Sequence, residues 1–469
     1  MTIPFVPSRG LGYVPDEIVV LFDSETSQKR DPALIAKGAT GEALLDQVNT
    51  KFKALSVRRQ FPGSGLKRVK GRLPDLGGWH KIKFQDRVSL DQAVKAYKAL
   101  PQVLDAQPIG IHSLSAVPND GRYSRQWHLN QANDRDMDGP ETWENLRTGL
   151  DRGLVDLSGV VVAVLDSGVR YFHKDLGGSG ASHANPQGAA GNMWINPAEK
   201  NGTSGVDDDG NGYVDDWIGW DFVGQPRDCW SGEDCSVPDN DPRDFNGHGT
   251  HCAGNIAAMT NNGYSVSSPG GGWGTGSLLA EGNGARVMAL RMGWSASDQG
   301  TETGMVRMDY AAQALYYAAD NGAKIASCSW GSSNTGGLGA AIDYFLAQGG
   351  MIFKSAGNDN REFSYSHEDY MCSRPDVVCV GATDQSDCKA SFSNYGSEVD
   401  ICAPGVSTES LYHYHPSPES DYSAAMNGTS MATPLAAGAA ALVWGQNPSW
   451  TASQVREKLL ASADPLDGL

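Results

Sequence analysis

Four short apolar runs constrain most strongly what this chain can fold into. Residues 160–165 (VVVAVL), 324–329 (KIASCS), 351–353 (MIF) and 377–380 (VVCV) are bounded by polar residues, and helix-periodic stretches at 307–319 and 338–348 lie between them. Buried strands alternating with helices read as a doubly wound parallel sheet, an α/β fold that gathers functional groups at the carboxyl ends of its strands. Residues 435–444 are apolar but too short for a membrane helix, which needs about 18 such residues.

The leading 115 residues follow another pattern. Residues 17–22, 55–61, 79–84 and 103–109 read as strands, and residues 42–52 and 89–100 place apolar side chains at helical spacing. The order β-α-β-β-α-β predicts a small α+β, ferredoxin-like unit over 1–115, followed by an α/β domain over 116–469. Residues 114–121 (LSAVPNDG) form the polar joint between them, the kind of exposed segment that proteases cut.

A net charge of −18 argues against nucleic acid as the partner. The charge is also unevenly spread. Residues 1–118 carry 17 Lys and Arg against 11 Asp and Glu, a net of +6, and the remainder carries 20 against 44, a net of −24. Either the two parts attract one another, or the acidic loops hold calcium and keep the protein soluble. Among eight cysteines, Cys229 and Cys235 bracket a short polar loop and are the expected disulfide. Cys252 and Cys328 fall in a predicted helix and strand and are expected as buried thiols, while Cys372, Cys379, Cys388 and Cys402 leave three pairings open.

Three motifs carry the chemistry. VLDSG ends a strand on Asp166; NGHGTHCAG opens a small-residue helix at His248; NGTSMATP places Ser430 at the start of an apolar helix. Each has a bland reading alone: a turn aspartate, a His pair at i and i+3 without the Glu of a zinc helix, an N-cap serine. Together, in the order Asp…His…Ser and with SAGN at residues 355–358, they are specific. From about residue 126 to the end the chain resembles a subtilisin-like serine protease, or subtilase. The resemblance implies Ser430 as nucleophile, His248 as its base, Asp166 as the residue orienting the base, and the Asn358 amide with the Ser430 backbone N–H as oxyanion donors. His251 is expected to pack locally. Ser329, Trp330, Gly331 and Gly357 match the substrate-binding segments, where a peptide adds as a strand.

The same resemblance makes the leading unit a propeptide, an intramolecular inhibitor and folding aid removed by self-cleavage within residues 111–119. It implies protein substrates, a monomer without nucleic-acid or membrane partners, secretion, and further domains beyond residue 469 in some relatives. The rival readings are a catalytically silent binding protein and a stably inhibited zymogen on the same fold. Calcium is the implied cofactor. In residues 207–216 (DDDGNGYVDD), Asp207, Asp209 and Asn211 alternate, the Tyr213 carbonyl follows, and Asp215 or Asp216 closes the set, as in thermitase-like calcium loops. Position twelve is Ile218, so the loop is no EF-hand. Asp175 with Asn261 is expected as a second calcium site, with Gln126 beside it. Counting from Asn358 puts Glu368, Asp369 and Tyr370 near the pocket for the residue before the cleaved bond, where a carboxylate would favour Lys or Arg. Residues 111–119 hold neither, so self-cleavage speaks against that preference.

Overall fold

A computed structural model describes residues 13–23, 40, 42–61, 76–85, 88–110, 116–131, 135–148, 156–363 and 369–465. The chain divides into two units, Met1–Leu114 and Ser115–Leu469.

In the first unit, β1 (Tyr13–Phe22), α1 (Ala43–Lys51), β2 (Ala54–Arg59), β3 (Trp79–Phe84), α2 (Leu90–Lys98) and β4 (Val103–Gly110) follow the order read from the sequence. The strands form one sheet in the order β2-β3-β1-β4, paired antiparallel. Alternation decides the faces: Ile18, Val20 and Phe22 of β1 and Ile82 and Phe84 of β3 point into a core closed by Leu45, Ala93 and Tyr97 of the two helices. The buried Tyr97 hydroxyl donates to Asn49 Oδ1 at 2.6 Å, so its polar tip is satisfied inside that core.

The second unit is built on seven parallel strands. After α3 (Gly139–Thr148) come β5 (Val161–Asp166), the short helices α4 (Lys174–Gly177) and α5 (Pro197–Lys200), β6 (Gly219–Asp221), α6 (His248–Ala257) and β7 (Arg286–Arg291). A hairpin, β8 (Gly293–Asp298) and β9 (Thr301–Val306), precedes α7 (Met308–Asp320), β10 (Ile325–Cys328), α8 (Leu338–Ala347), β11 (Met351–Ser355), β12 (Val378–Thr383) and β13 (Ile401–Pro404). A second hairpin, β14 (Thr408–Tyr412) and β15 (Tyr422–Met426), leads to α9 (Thr429–Gln446) and α10 (Ala452–Ser462). The sheet order is β13-β12-β11-β10-β5-β7-β6, parallel throughout.

Both faces of this sheet are covered, which is why its strands read as continuous apolar runs. On β5, Val162 and Val164 join the core containing α6 and α9, while Ala163 and Leu165 join the core containing α7 and α8. The apolar stretch 435–444 is part of α9, which is buried around most of its circumference. No helix among the described residues is long and apolar enough to cross a membrane.

Disulfides join Cys229 to Cys235 and Cys372 to Cys379. Cys252 and Cys328 are buried thiols, and Cys388 and Cys402 are unpaired.

Candidate active site

Asp166 is the last residue of β5, at the carboxyl end of a central strand. Its buried carboxylate accepts the Ser167 N–H at 2.7 Å and lies 2.8 Å from His248 Nδ1, both through Oδ1. His248 opens α6, and glycine lets that helix approach so closely: a Cβ on Gly249 would collide with the Gly168 carbonyl oxygen and sit 3.0 Å from Asp166 Cβ. Asp244 ties the helix start to the strand end. Its Oδ1 accepts the Gly247 N–H and the Ser167 hydroxyl, and its Oδ2 accepts the N–H and hydroxyl of Thr250. Sequence reasoning passed over Asp244, which stands three residues ahead of the N-cap Gly247 and so outside the position where an aspartate signals a cap.

Burial pushes the His248 imidazole down, and the adjoining Asp166 carboxylate outweighs this and holds it well above its ordinary value. With Nδ1–H directed at Asp166, Nε2 is the nitrogen left to accept a proton. Cys252, one turn along α6, puts its sulfur 3.9 Å from His248 Nδ1; burial pushes the thiol up, so it stays protonated at neutral pH.

Ser430 is the second residue of α9. Pro434, four residues on, has no N–H to give the Ser430 carbonyl. That carbonyl instead accepts from the Ser329 hydroxyl at 3.0 Å and the Cys252 thiol at 3.4 Å. The Ser430 hydroxyl donates in turn to the Ser329 carbonyl at 3.2 Å. Asn358 is oriented by its oxygen: Oδ1 accepts the Thr429 N–H at 2.9 Å and the Thr429 hydroxyl at 3.0 Å, which leaves Nδ2 to turn outward. Gly428 shows where Nδ2 points. It has φ +151°, and a Cβ there would lie 3.5 Å from Ser430 N and 3.6 Å from Asn358 Nδ2. Two N–H donors therefore flank one small space beside the serine.

The substrate-segment residues border the same region. Trp330 is buried, with its ring N–H on the Leu165 carbonyl at 2.8 Å, and Gly331 is exposed with open space around it. The Gly357 N–H donates to Thr429 Oγ1 at 3.1 Å. The Asp369 carboxylate is already paired within the chain: the buried Lys354 ammonium lies 3.1 Å from Oδ2, and Ser332 donates to it from both backbone and hydroxyl. Glu368 and residues 111–115 fall outside the described residues. His251 is held locally, with Nε2 at 3.1 Å from the Thr408 carbonyl and 3.0 Å from that of Ala424.

The acidic loop draws together only part of the predicted ligand set. Carboxylate oxygens of Glu199, Asp209 and Asp216 lie within 4.8 Å of one another. The Nδ2 groups of Asn196 and Asn211 both donate to Asp209 and Asp216. An all-oxygen set with carboxamides at its edge fits a hard cation such as calcium. Glu199 was not legible in the loop motif because it comes from α5. Asp207 stays out of this cluster, spending both oxygens on the N–H groups of Gly210, Asn211 and Gly212, and the Tyr213 ring packs 4.9 Å from Tyr317 and 5.0 Å from Trp220. At the second predicted site Asn262, not Asn261, meets Asp175, its Nδ2 donating at 2.7 Å. Asn261 turns to the Gly274 carbonyl, and the Gln126 amide is taken up by Ser267 and Glu409.

Comparison with known proteins gives the family of the chain. Residues 157–468 match the model of the subtilase family. Thermitase of Thermoactinomyces vulgaris is 31% identical over 353 residues, covering 75% of this chain and 93% of that protein. The thermophilic serine proteinase of Bacillus sp. (strain AK1) is 28% identical over 464 residues, 97% of this chain and 84% of its own length. Subtilisin Savinase of Lederbergia lenta is 38% identical over 225 residues, 48% of this chain and 72% of that protein. A solved structure titled as proteases from Pseudoalteromonas arctica PAMC 21717 shares the fold with a TM-score of 0.52 at 24% identity, covering 75% of this chain and 93% of that one. The chain thus belongs to the subtilase family and is a serine endopeptidase.

Proposed function

We propose that Ser430, His248 and Asp166 hydrolyse peptide bonds in protein substrates through an acyl-enzyme on Ser430. The observation that carries this reading is the 2.8 Å contact of His248 Nδ1 with Asp166, at the mouth of a site where Ser430 N and Asn358 Nδ2 flank one space. His248 Nε2 takes the Ser430 proton as the oxygen attacks the substrate carbonyl, and Asp166 stabilises the imidazolium. The carbonyl oxygen becomes an oxyanion between the two N–H donors, and the protonated His248 then releases the amine. Water repeats the sequence to free Ser430. The Ser329 carbonyl holds the resting Ser430 hydroxyl, which rotates toward His248 when substrate arrives.

The leading unit acts as a propeptide that inhibits the domain following it and is removed by self-cleavage within residues 111–119. Its net charge of +6 against −24 for residues 119–469 supports this, as does the match of the thermophilic serine proteinase over 97% of the chain. Glu199, Asp209 and Asp216, with the carboxamide oxygens of Asn196 and Asn211 once turned inward, would hold calcium as a structural clamp on the acidic loop. Two disulfides support an extracellular location.

A serine-directed phosphonate tests the central claim. Intact mass should rise by one adduct in the wild type and not in Ser430→Ala, and peptide digestion should stop with it. Failure of the wild type to label would sink the peptidase mechanism.

A further inference from the structure

Lys354 is an unusual residue to find inside a sheet. It lies on β11, three residues before Gly357, and its side chain is only 1% exposed. A buried ammonium is tolerated when each of its three N–H groups is met. Here the Ser355 carbonyl and hydroxyl and Asp369 Oδ2 supply three acceptors. Asp369 is saturated from its own side: Ser332 donates through its N–H at 2.7 Å and through its hydroxyl, and the N–H groups of Met371 and Cys372 approach at 3.1 and 3.3 Å. The Cys372–Cys379 disulfide fastens this carboxylate-bearing segment to β12.

The position of the pair gives it meaning. Ser332 follows Gly331 and Lys354 precedes Gly357, so Asp369 bridges the two segments that resemble the walls of the substrate cleft. The carboxylate that would otherwise recognise a basic side chain already carries an internal cation.

We infer that Lys354 is the built-in counter-ion of the primary specificity pocket: by neutralising Asp369 it makes the enzyme select uncharged, apolar residues before the scissile bond. This rests on the peptidase reading above and names its substrate class. Lys354 is a positioning residue and takes no part in bond breaking. Losing the ammonium while keeping Asp369 exposes a carboxylate to the substrate and moves selectivity toward Lys and Arg.

The test compares kcat/KM of the full chain on matched peptide anilides ending in Leu, Phe, Lys or Arg. The wild type should favour Leu and Phe over Lys by about tenfold or more. Lys354→Met should raise the Lys-to-Leu ratio by about tenfold or more, and Lys354→Met/Asp369→Asn should return it toward the wild-type value. Should Lys354→Met fold poorly, Lys354→Gln, which can still donate to Asp369 without the charge, carries the same expectation. A wild type that prefers Lys overturns the inference. So does an unchanged ratio in a charge-removing variant whose Ser430 still labels. Absence of both cleavage and labelling in the wild type overturns the peptidase reading as well, a result distinct from an active enzyme with unaltered selectivity.

Discussion

Replacing Gly428 by alanine should silence the enzyme without displacing any of its three triad residues. The added Cβ would lie 3.5 Å from Ser430 N and 3.6 Å from Asn358 Nδ2. An oxyanion held by the same donors must approach each to about 2.7–3.1 Å, so a methyl group flanked by both competes for its volume. Removing one donor from such a hole costs roughly 100- to 1,000-fold in kcat, about 3–4 kcal/mol; obstructing both should cost at least 1,000-fold. The backbone adds a separate penalty. Position 428 has φ +151°, which a residue with a Cβ adopts at a cost of about 1–3 kcal/mol, visible as a lower thermal midpoint. The assay is kcat per mole of folded protein on a peptide anilide, with unfolding followed in parallel. KM should change only a few-fold, because the loss falls on the transition state. Adding Asn358→Ala to Gly428→Ala should cost less than a further tenfold, since both act on one space. A folded Gly428→Ala enzyme within tenfold of wild-type kcat would refute this account of the hole.

Calcium should raise the thermal midpoint and a chelator should lower it, with about 2.7 kcal/mol gained at a hundredfold excess over Kd. Glu199→Gln should weaken calcium binding by tenfold or more while Asp207→Asn changes it less than threefold; equal effects in a calcium titration would place the ion elsewhere. His128 is fully buried, neither ring nitrogen has a partner, and burial pushes it down to about 3. Its folded value lies below the unfolded one of about 6.5, so wild-type stability is complete above pH 6.5 and falls as the pH drops toward 3. His128→Phe should remove that loss, gaining about 2 kcal/mol relative to wild type between pH 7.5 and pH 5; parallel unfolding curves at the two pH values would contradict it.

What the sequence made legible was whatever local pattern determines. Residues 160–165 announced β5 because strands buried on both faces must be apolar throughout, and the buried Cys252 followed from the small-residue helix around it. Long-range pairing was beyond reach. The Lys354 counter-ion of Asp369 sits fifteen positions upstream on a strand whose pattern announces only burial, so counting forward from Asn358 found the carboxylate and missed its neutraliser. Glu199 joins Asp209 and Asp216 from a separate four-residue helix, and loop spacing carries no trace of it. Between Asn261 and Asn262 the difference is one residue of register, set by the left-handed turn at Asn261, φ +59°. Both hairpins, β8–β9 and β14–β15, also went unread, their strands being half polar and interrupted by turn formers.

The sheet order explains why these motifs converge. β10 lies between β5 and β11, and all three run parallel, so their carboxyl ends emerge side by side. β5 delivers Asp166, and through it His248, on one side; β11 leads into Gly357 and Asn358 on the other. Ser329, directly after β10, marks the middle, and it holds Ser430 by two reciprocal hydrogen bonds. One of these depends on the carbonyl that Pro434 leaves free of the helix ladder. Ser430, the proposed nucleophile, is thus hung over the central strand, with its proposed base His248 on one flank and the proposed oxyanion donor Asn358 on the other. Motifs as far apart in the chain as Asp166 and Ser430, 264 residues, meet because strand order, rather than sequence proximity, sets their spacing. The same order puts Lys354 beneath the donor flank, where a buried charge can reach the substrate cleft without touching the triad.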